Sequence, residues 1–186
     1  MYPMQHPDKD TIRAELEKTR VEFHALSRSL SATDLARQSK NVAWSNGEVL
    51  FHIMLAFILV PALLWLIRFF GRLPKSWSKP FAMLLNLSTP IFNWLNALGP
   101  HIGGRIFHDD RLDRKYDRVH AHILRLLERI PDAEMRRGMY YPDKWDGLFQ
   151  PYMTLADLFR YPTIHFHFHR DQLAVSIPSA GTESAP

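Results

Sequence analysis

The sequence predicts an all-α fold, an antiparallel four-helix bundle with an extra apolar helical insertion between its second and third helices. Three observations carry that expectation. Four segments of roughly 20 residues repeat apolar side chains at spacings of three and four, the period of an amphipathic helix. Two of the four open on a capping box. Between the segments no convincing run of alternating apolar and polar residues calls for a strand. At 186 residues the chain is one domain by size, expected over 1–178, with the insertion at about 71–109 and a small polar tail at 179–186 expected to be disordered.

The first helix is predicted over residues 8–30, where Ile12, Leu16, Thr19, Phe23, Leu26 and Leu30 form one stripe. The second opens at Ser45-Asn46-Gly47-Glu48, in which a hydroxyl and a carboxylate three residues apart satisfy each other's free backbone amides. Trp44 and Val49 flank it as a hydrophobic staple, and the helix continues to residue 70. Its seam is Val49, His52, Ala56, Leu59, Leu63, Leu66 and Phe70. The third helix is expected over 110–130, with Leu112, Tyr116, Val119, Ile123, Leu126 and Ile130 in the stripe and Pro131 closing it. The fourth begins at Thr154-Leu155-Ala156-Asp157 and runs to residue 176. Pro162 deletes one of its hydrogen bonds, which predicts a kink or a fresh helical start there.

The insertion is an apolar excursion. Residues 49–67 hold no Asp, Glu, Lys or Arg, and length alone makes them a candidate membrane span, against which His52 and Pro61 argue. Residues 81–98 are also uncharged, but Asn86, Ser88, Thr89, Pro90, Asn93 and Asn96 suit an amphipathic helix, or a pair broken at Pro90. Three uses are open. The leading one is extra core, a further helix that hides the apolar back of helix two. Another is a lid or tunnel over a site, selecting a hydrophobic small-molecule substrate. The last is peripheral membrane contact through the 53–98 region, with Trp77, Phe81 and Trp94 in the apolar layer and Lys75 and Lys79 near headgroups.

Candidate chemistry gathers on histidines. His165-Phe166-His167-Phe168-His169 packs three imidazoles into five residues. On a helix, His165 and His169 share a face and His167 turns away; on a strand all three would line one side. The flanking period favours the helix. Gln172 falls on the same face, three residues past His169. His52 lies on the core-facing seam of helix two, and a bundle core is where metal sites are assembled from facing helices. His52, His165 and His169 would make a three-histidine site with a coordination position left open, as in catalytic zinc centres. A lone histidine on an apolar seam is more often a satisfied core residue; the same-face pair is what raises the metal reading. Glu48, one turn before His52, is a candidate carboxylate behind the ligands, although its cap role already explains it. Tyr140, Tyr141 and Trp145 precede the histidine helix as candidate pocket residues, with plain packing as the alternative. His120 and His122 are two apart and cannot chelate together. His101 and His108 flank a Gly-rich turn, and His108-Asp109-Asp110 suits a cap for helix three. His6 and His24 are expected at the surface.

Trp44-Ser45-Asn46-Gly47-Glu48-Val49-Leu50-Phe51-His52, followed by His165-x-x-x-His169-x-x-Gln172-Leu173, resembles the DinB-like metalloprotein superfamily. The resemblance covers about residues 11–176. It implies a four-helix bundle holding a divalent metal through His52, His165 and His169. Characterised relatives in that superfamily include bacillithiol S-transferases and mycothiol-dependent maleylpyruvate isomerases. The resemblance therefore implies thiol-dependent transfer or isomerisation, and carries over no catalytic base or thiol-binding residue. The long apolar excursion departs from the shorter connection expected between helices two and three.

Composition narrows the classes. The absence of cysteine removes disulfides, thiolate metal sites and cysteine nucleophiles, so thiol chemistry would need a low-molecular-weight thiol. Three imidazoles suit zinc first, with nickel, iron and copper open. The net charge of +4 does not amount to a nucleic-acid signature, because acids interrupt the basic run from residue 105 to 137. The first residues lack the blocks of a signal peptide, so a cytoplasmic protein is expected. A metal-dependent hydrolase, and a non-catalytic metal-stabilised or membrane-peripheral protein, are the competing readings. Bundles of this kind pair readily, so a homodimer is also expected as an option.

Overall fold

Capping residues set the helix starts. In the computed structural model, which describes residues 8–41, 43–106 and 110–174, the Asp8 side chain accepts from the Thr11 amide at 2.7 Å and opens α1, Lys9–Ser29. Ser31 and Asp34 form a capping box for the short α2, Ala32–Ala36. Ser45 and Glu48 do the same for α3, Asn46–Phe70. After α4, Lys75–Leu87, the chain breaks at Ser88 and restarts as α5, Thr89–Ile106, which puts Pro90 in a first turn where its missing amide costs nothing. Next comes α6, Asp110–Arg129, then a 3-10 turn at Asp132–Glu134. Strands β1, Gly138–Tyr140, and β2, Tyr152–Thr154, pair antiparallel, and α7, Leu155–Arg170, follows directly from Thr154. The helix runs unbroken through Pro162, so no fresh start occurs.

The bundle consists of α1, α3, α6 and α7. Both α1 and α3 pack against α6 and α7, which places α1 and α3 across a diagonal. Cross-helix pairs give the directions. Glu15 pairs with Arg160 at 2.8 Å, Thr19 bonds Thr163 and Glu22 pairs with Arg170, so α1 and α7 run parallel. Lys9 reaches the Ile130 carbonyl and Arg20 pairs with Asp117, so α1 and α6 run antiparallel. Asn46 meets Ala174 and His52 meets His165 and His169, so α3 and α7 are antiparallel as well. Phe57 packs on Tyr116 while Leu64 and Arg68 face Leu126 and Arg129, so α3 and α6 run parallel. Parallel neighbours need a long return, and α4 and α5 supply it.

Inside, Phe23 stacks on Tyr116 with centroids 3.9 Å apart and Phe57 closes the cluster at 4.8 Å. Helix α3 is covered by α5, α6 and α7, while Ile58, Trp65 and Phe69 remain exposed on its open side. It is long and apolar enough to cross a membrane, yet 61% of that window is buried within the protein, as in a core helix.

Gly103 is what lets α5 lie close to α3. A Cβ there would run into the Phe51 ring, and one at Gly104 would come within 2.9 Å of Glu48 Cγ. The glycines expected to form a turn thus lie within helix α5 as a contact surface. Gly103→Leu is expected to push α5 away from α3 and cost about 1–3 kcal/mol, the usual cost of overpacking, measurable by urea melting.

Other differences have local causes. The β1–β2 hairpin has three-residue strands, too short to give a periodic signal in the sequence. Helix four ends at Arg170 rather than near 176, and residues 171–174 turn back instead. His24, expected at the surface, is buried, its Nε2 2.8 Å from Asp117 and its Nδ1 3.2 Å from Asp113. These partners come from α6 and were invisible to the periodicity of α1 alone. His6, the His108 cap and the 179–186 tail lie outside the described residues.

Candidate metal centre

Because α3 and α7 are antiparallel, the capped start of α3 meets the last turns of α7. That juxtaposition brings His52, His165 and His169 together, and one nitrogen from each lies within 4.8 Å of the others. His52 Nε2 and His169 Nε2 are 3.2 Å apart. All three rings are buried, with exposures of 4%, 1% and 8%. His167 turns away toward Glu22.

Burial keeps these imidazoles neutral. It pushes His52 down to about 3, with His169 adding to the effect. It drives His165 well below the ordinary range, helped by His52 and His169. His169 also falls through burial, partly offset by its bond to Gln172. That bond fixes a tautomer. The Gln172 Oε1 can only accept, so His169 Nδ1 carries the hydrogen, at 2.9 Å, and its Nε2 presents a lone pair to the cluster. A ligand histidine is ordinarily oriented by such a partner on its other nitrogen.

Gln172 is itself held. Its carbonyl accepts from the Lys40 amide at 2.8 Å. Asn46, fully buried, donates to the Ala174 carbonyl at 3.0 Å and accepts from the Ala174 amide at 2.9 Å. In the sequence Asn46 reads only as part of a cap. Its place beside Ser45 at a helix start gave no sign that the end of α7 would dock there.

Two further side chains wall the cluster. Trp44 lies 4.5 Å from the His52 ring and Tyr161 5.3 Å from that of His165. The Tyr161 hydroxyl donates to Asp146 Oδ2 at 2.6 Å. Tyr161 stands one turn before His165 on α7, a spacing that could have singled it out. Tyr141 is buried against Phe149, which contacts Tyr161, so it stands two rings behind the histidines. Trp145 donates to the Leu85 carbonyl and stacks on Phe92, tying its loop to α4 and α5. Tyr140 lies on β1 against Tyr152. Glu48 engages both oxygens elsewhere: one accepts from the Ser45 amide, and His101 Nδ1 lies 2.7 Å from the other. Burial raises its carboxyl, but the Ser45 amide and His101 outweigh this and hold it low. His120 bonds the Leu16 carbonyl and His122 lines a groove between α3 and α6.

The donor set fits a divalent transition metal. Tetrahedral nitrogen ligands at about 2.0–2.1 Å from zinc sit roughly 3.4 Å apart, close to the His52–His169 spacing. Three buried polar rings crowd one another at a cost in desolvation that no other side chain offsets for the Nδ1 atoms of His52 and His165. As ordinary core the cluster makes little sense; as a nitrogen cage it does.

Fold and site together define a helical-bundle protein with an interhelical three-histidine centre. The family model of the DinB superfamily matches residues 15–173, and the chain belongs to that superfamily. No curated protein and no solved structure gives a match.

Proposed function

We propose that the protein is a divalent-metal-dependent enzyme of the thiol-dependent S-transferase or isomerase class, with His52, His165 and His169 holding the metal. The observation that carries this reading is the buried triad with its nitrogens within 4.8 Å and one of its rings keyed by Gln172. Zinc suits three imidazoles and an open position best. A metal held there would act as a Lewis acid, lowering the proton affinity of a thiol or water bound to it.

The chain's own residues supply the rest. Neutral imidazoles stay competent to bind at and below neutral pH. Gln172 holds the His169 lone pair on the site, and Lys40 and Asn46 hold the segment that carries Gln172. Trp44 and Tyr161 limit water access from the sides. The chain has no cysteine, so the thiol must come from a small molecule. A reducing cytoplasm, where such thiols stay reduced, is the fitting compartment.

Metal content by mass spectrometry on untagged protein tests this first. About one zinc per chain, followed by turnover of an electrophile only when a thiol is added, supports the reading. A protein that is empty and takes up neither zinc nor nickel removes it, and turnover with water alone moves it to a hydrolase. Gln172→Ala is expected to weaken zinc binding by about 10- to 100-fold in a chelator competition, with little loss of fold.

A further inference from the structure

Helices α4 and α5 leave a long apolar stripe uncovered. Trp77, Leu84, Leu87, Ile91 and Trp94 are more than half exposed, Trp77 at 64% and Leu87 at 77%. With Pro80 between the first two, they recur at spacings of three and four, so α4 and α5 each carry an exposed apolar face. The opposite faces are occupied: Ser78 and Ala82 are buried, and Gly103 lies on Phe51. Isolated exposed apolar residues are ordinary; such faces on two successive helices, with a tryptophan on each, are not.

The charge around it has one sign. From residue 49 to 107 the sequence contains no Asp or Glu, while Arg68, Arg72, Lys75 and Lys79 gather where α3 hands over to α4. Lys75 and Lys79 lie on α4 nearer its Ser78–Ala82 side than the stripe, each with its ammonium over a tyrosine ring of the β1–β2 hairpin. Glu134 is outnumbered by Arg68, Arg72 and Arg137 around it. Asp143 and Glu48, which reach the two helices from outside, are engaged by Asn86 and His101.

We infer that the α4–α5 face docks on an anionic lipid surface, its tryptophans and leucines in the headgroup–acyl boundary and Arg72, Lys75 and Lys79 against the phosphates. Interfacial helices combine an apolar face with flanking cations in this way, and tryptophan favours that depth. A second copy of the chain would explain an apolar stripe but not the acid-free basic end beside it. This inference does not rest on the metal reading, and metal content does not test it.

The test is co-sedimentation of the full chain with vesicles of phosphatidylcholine alone and of phosphatidylcholine with phosphatidylserine, read beside tryptophan emission. Binding should be at least about tenfold stronger to the anionic vesicles, with a blue shift of the emission. It should be lost in the double variant Trp77→Ser, Trp94→Ser and weakened in Lys75→Glu, Lys79→Glu, with helicity and zinc content unchanged in both. Leu87→Ser serves as a third variant should the first lose its helicity. Absence of binding, equal binding to both vesicles, or binding that survives all these changes would overturn the inference. So would a discrete dimer in sedimentation that dissociates in the tryptophan variant without any lipid binding, which would assign the face to a second copy.

Discussion

His165→Leu is expected to abolish zinc retention while leaving the bundle folded. The substitution keeps most of the buried volume and removes one of the three nitrogens. Structural zinc sites with four ligands are worth about 10–16 kcal/mol, or roughly 3 kcal/mol per ligand, so affinity should fall by on the order of a hundredfold or more. The metal-free protein should respond in the opposite sense. His165 is 1% exposed and its Nδ1 has no partner, a buried polar atom whose removal relieves about 1–3 kcal/mol. Less metal with equal or greater stability of the metal-free form is a combination that a merely structural histidine would not give. Zinc content and urea melting with a chelator measure the two halves; retention of stoichiometric zinc in the variant would count against the triad.

Stability of the metal-free protein should fall steeply below pH 6.5. His52, His165 and His169 all have native pKa values beneath the ordinary 6.5, that of His52 at about 3. Above 6.5 these groups are neutral in both folded and unfolded chains and add no pH dependence. As pH drops through 6.5 the unfolded chain takes up protons that the native cluster refuses. Until pH reaches its native pKa, each such histidine removes up to about 1.4 kcal/mol per pH unit, and His120, lowered by burial as well, adds the same sign. Against an ordinary domain stability of about 5–15 kcal/mol, a loss of that sign is large enough to read in a melt. Glu48 and Asp117, held low by their partners, add the same sign only below their own ordinary range near 4. Melting temperatures from pH 8 to 4 check this, and His165→Leu should flatten the slope. A flat profile between 6.5 and 5 would mean that the rings are not held neutral.

The bundle was legible in the sequence because burial imposes a period. The stripes of α1 and α6 predicted their bounds to within a residue, and the Ser45–Glu48 and Thr154–Asp157 boxes marked the starts of α3 and α7. The His52, His165 and His169 cluster was legible for the same reason, since each lies on a seam. What stayed hidden depends on partners distant in sequence. His24 finds its acids on α6, and Asn46 finds Ala174. The order of helices around the bundle also stayed hidden, because amphipathic stripes record that a face is covered and not by which neighbour. The apolar back of α3 could equally have faced lipid; the approach of Gly103 to Phe51 and of His101 to Glu48 shows α5 on it.

The parallel pairing of α3 with α6 and of α1 with α7 has a consequence for assembly during synthesis. Helix α3 leaves the ribosome with an almost wholly apolar surface, and α7, which covers its histidine seam, is made about a hundred residues later. Non-local contacts of this kind form late and leave sticky intermediates exposed meanwhile. Helices α4 and α5 follow immediately and fold back along α3, a nearby hairpin that closes at little entropic cost. The crossover therefore acts as a built-in escort for α3, shielding one flank until α7 docks and the three histidines meet for the first time.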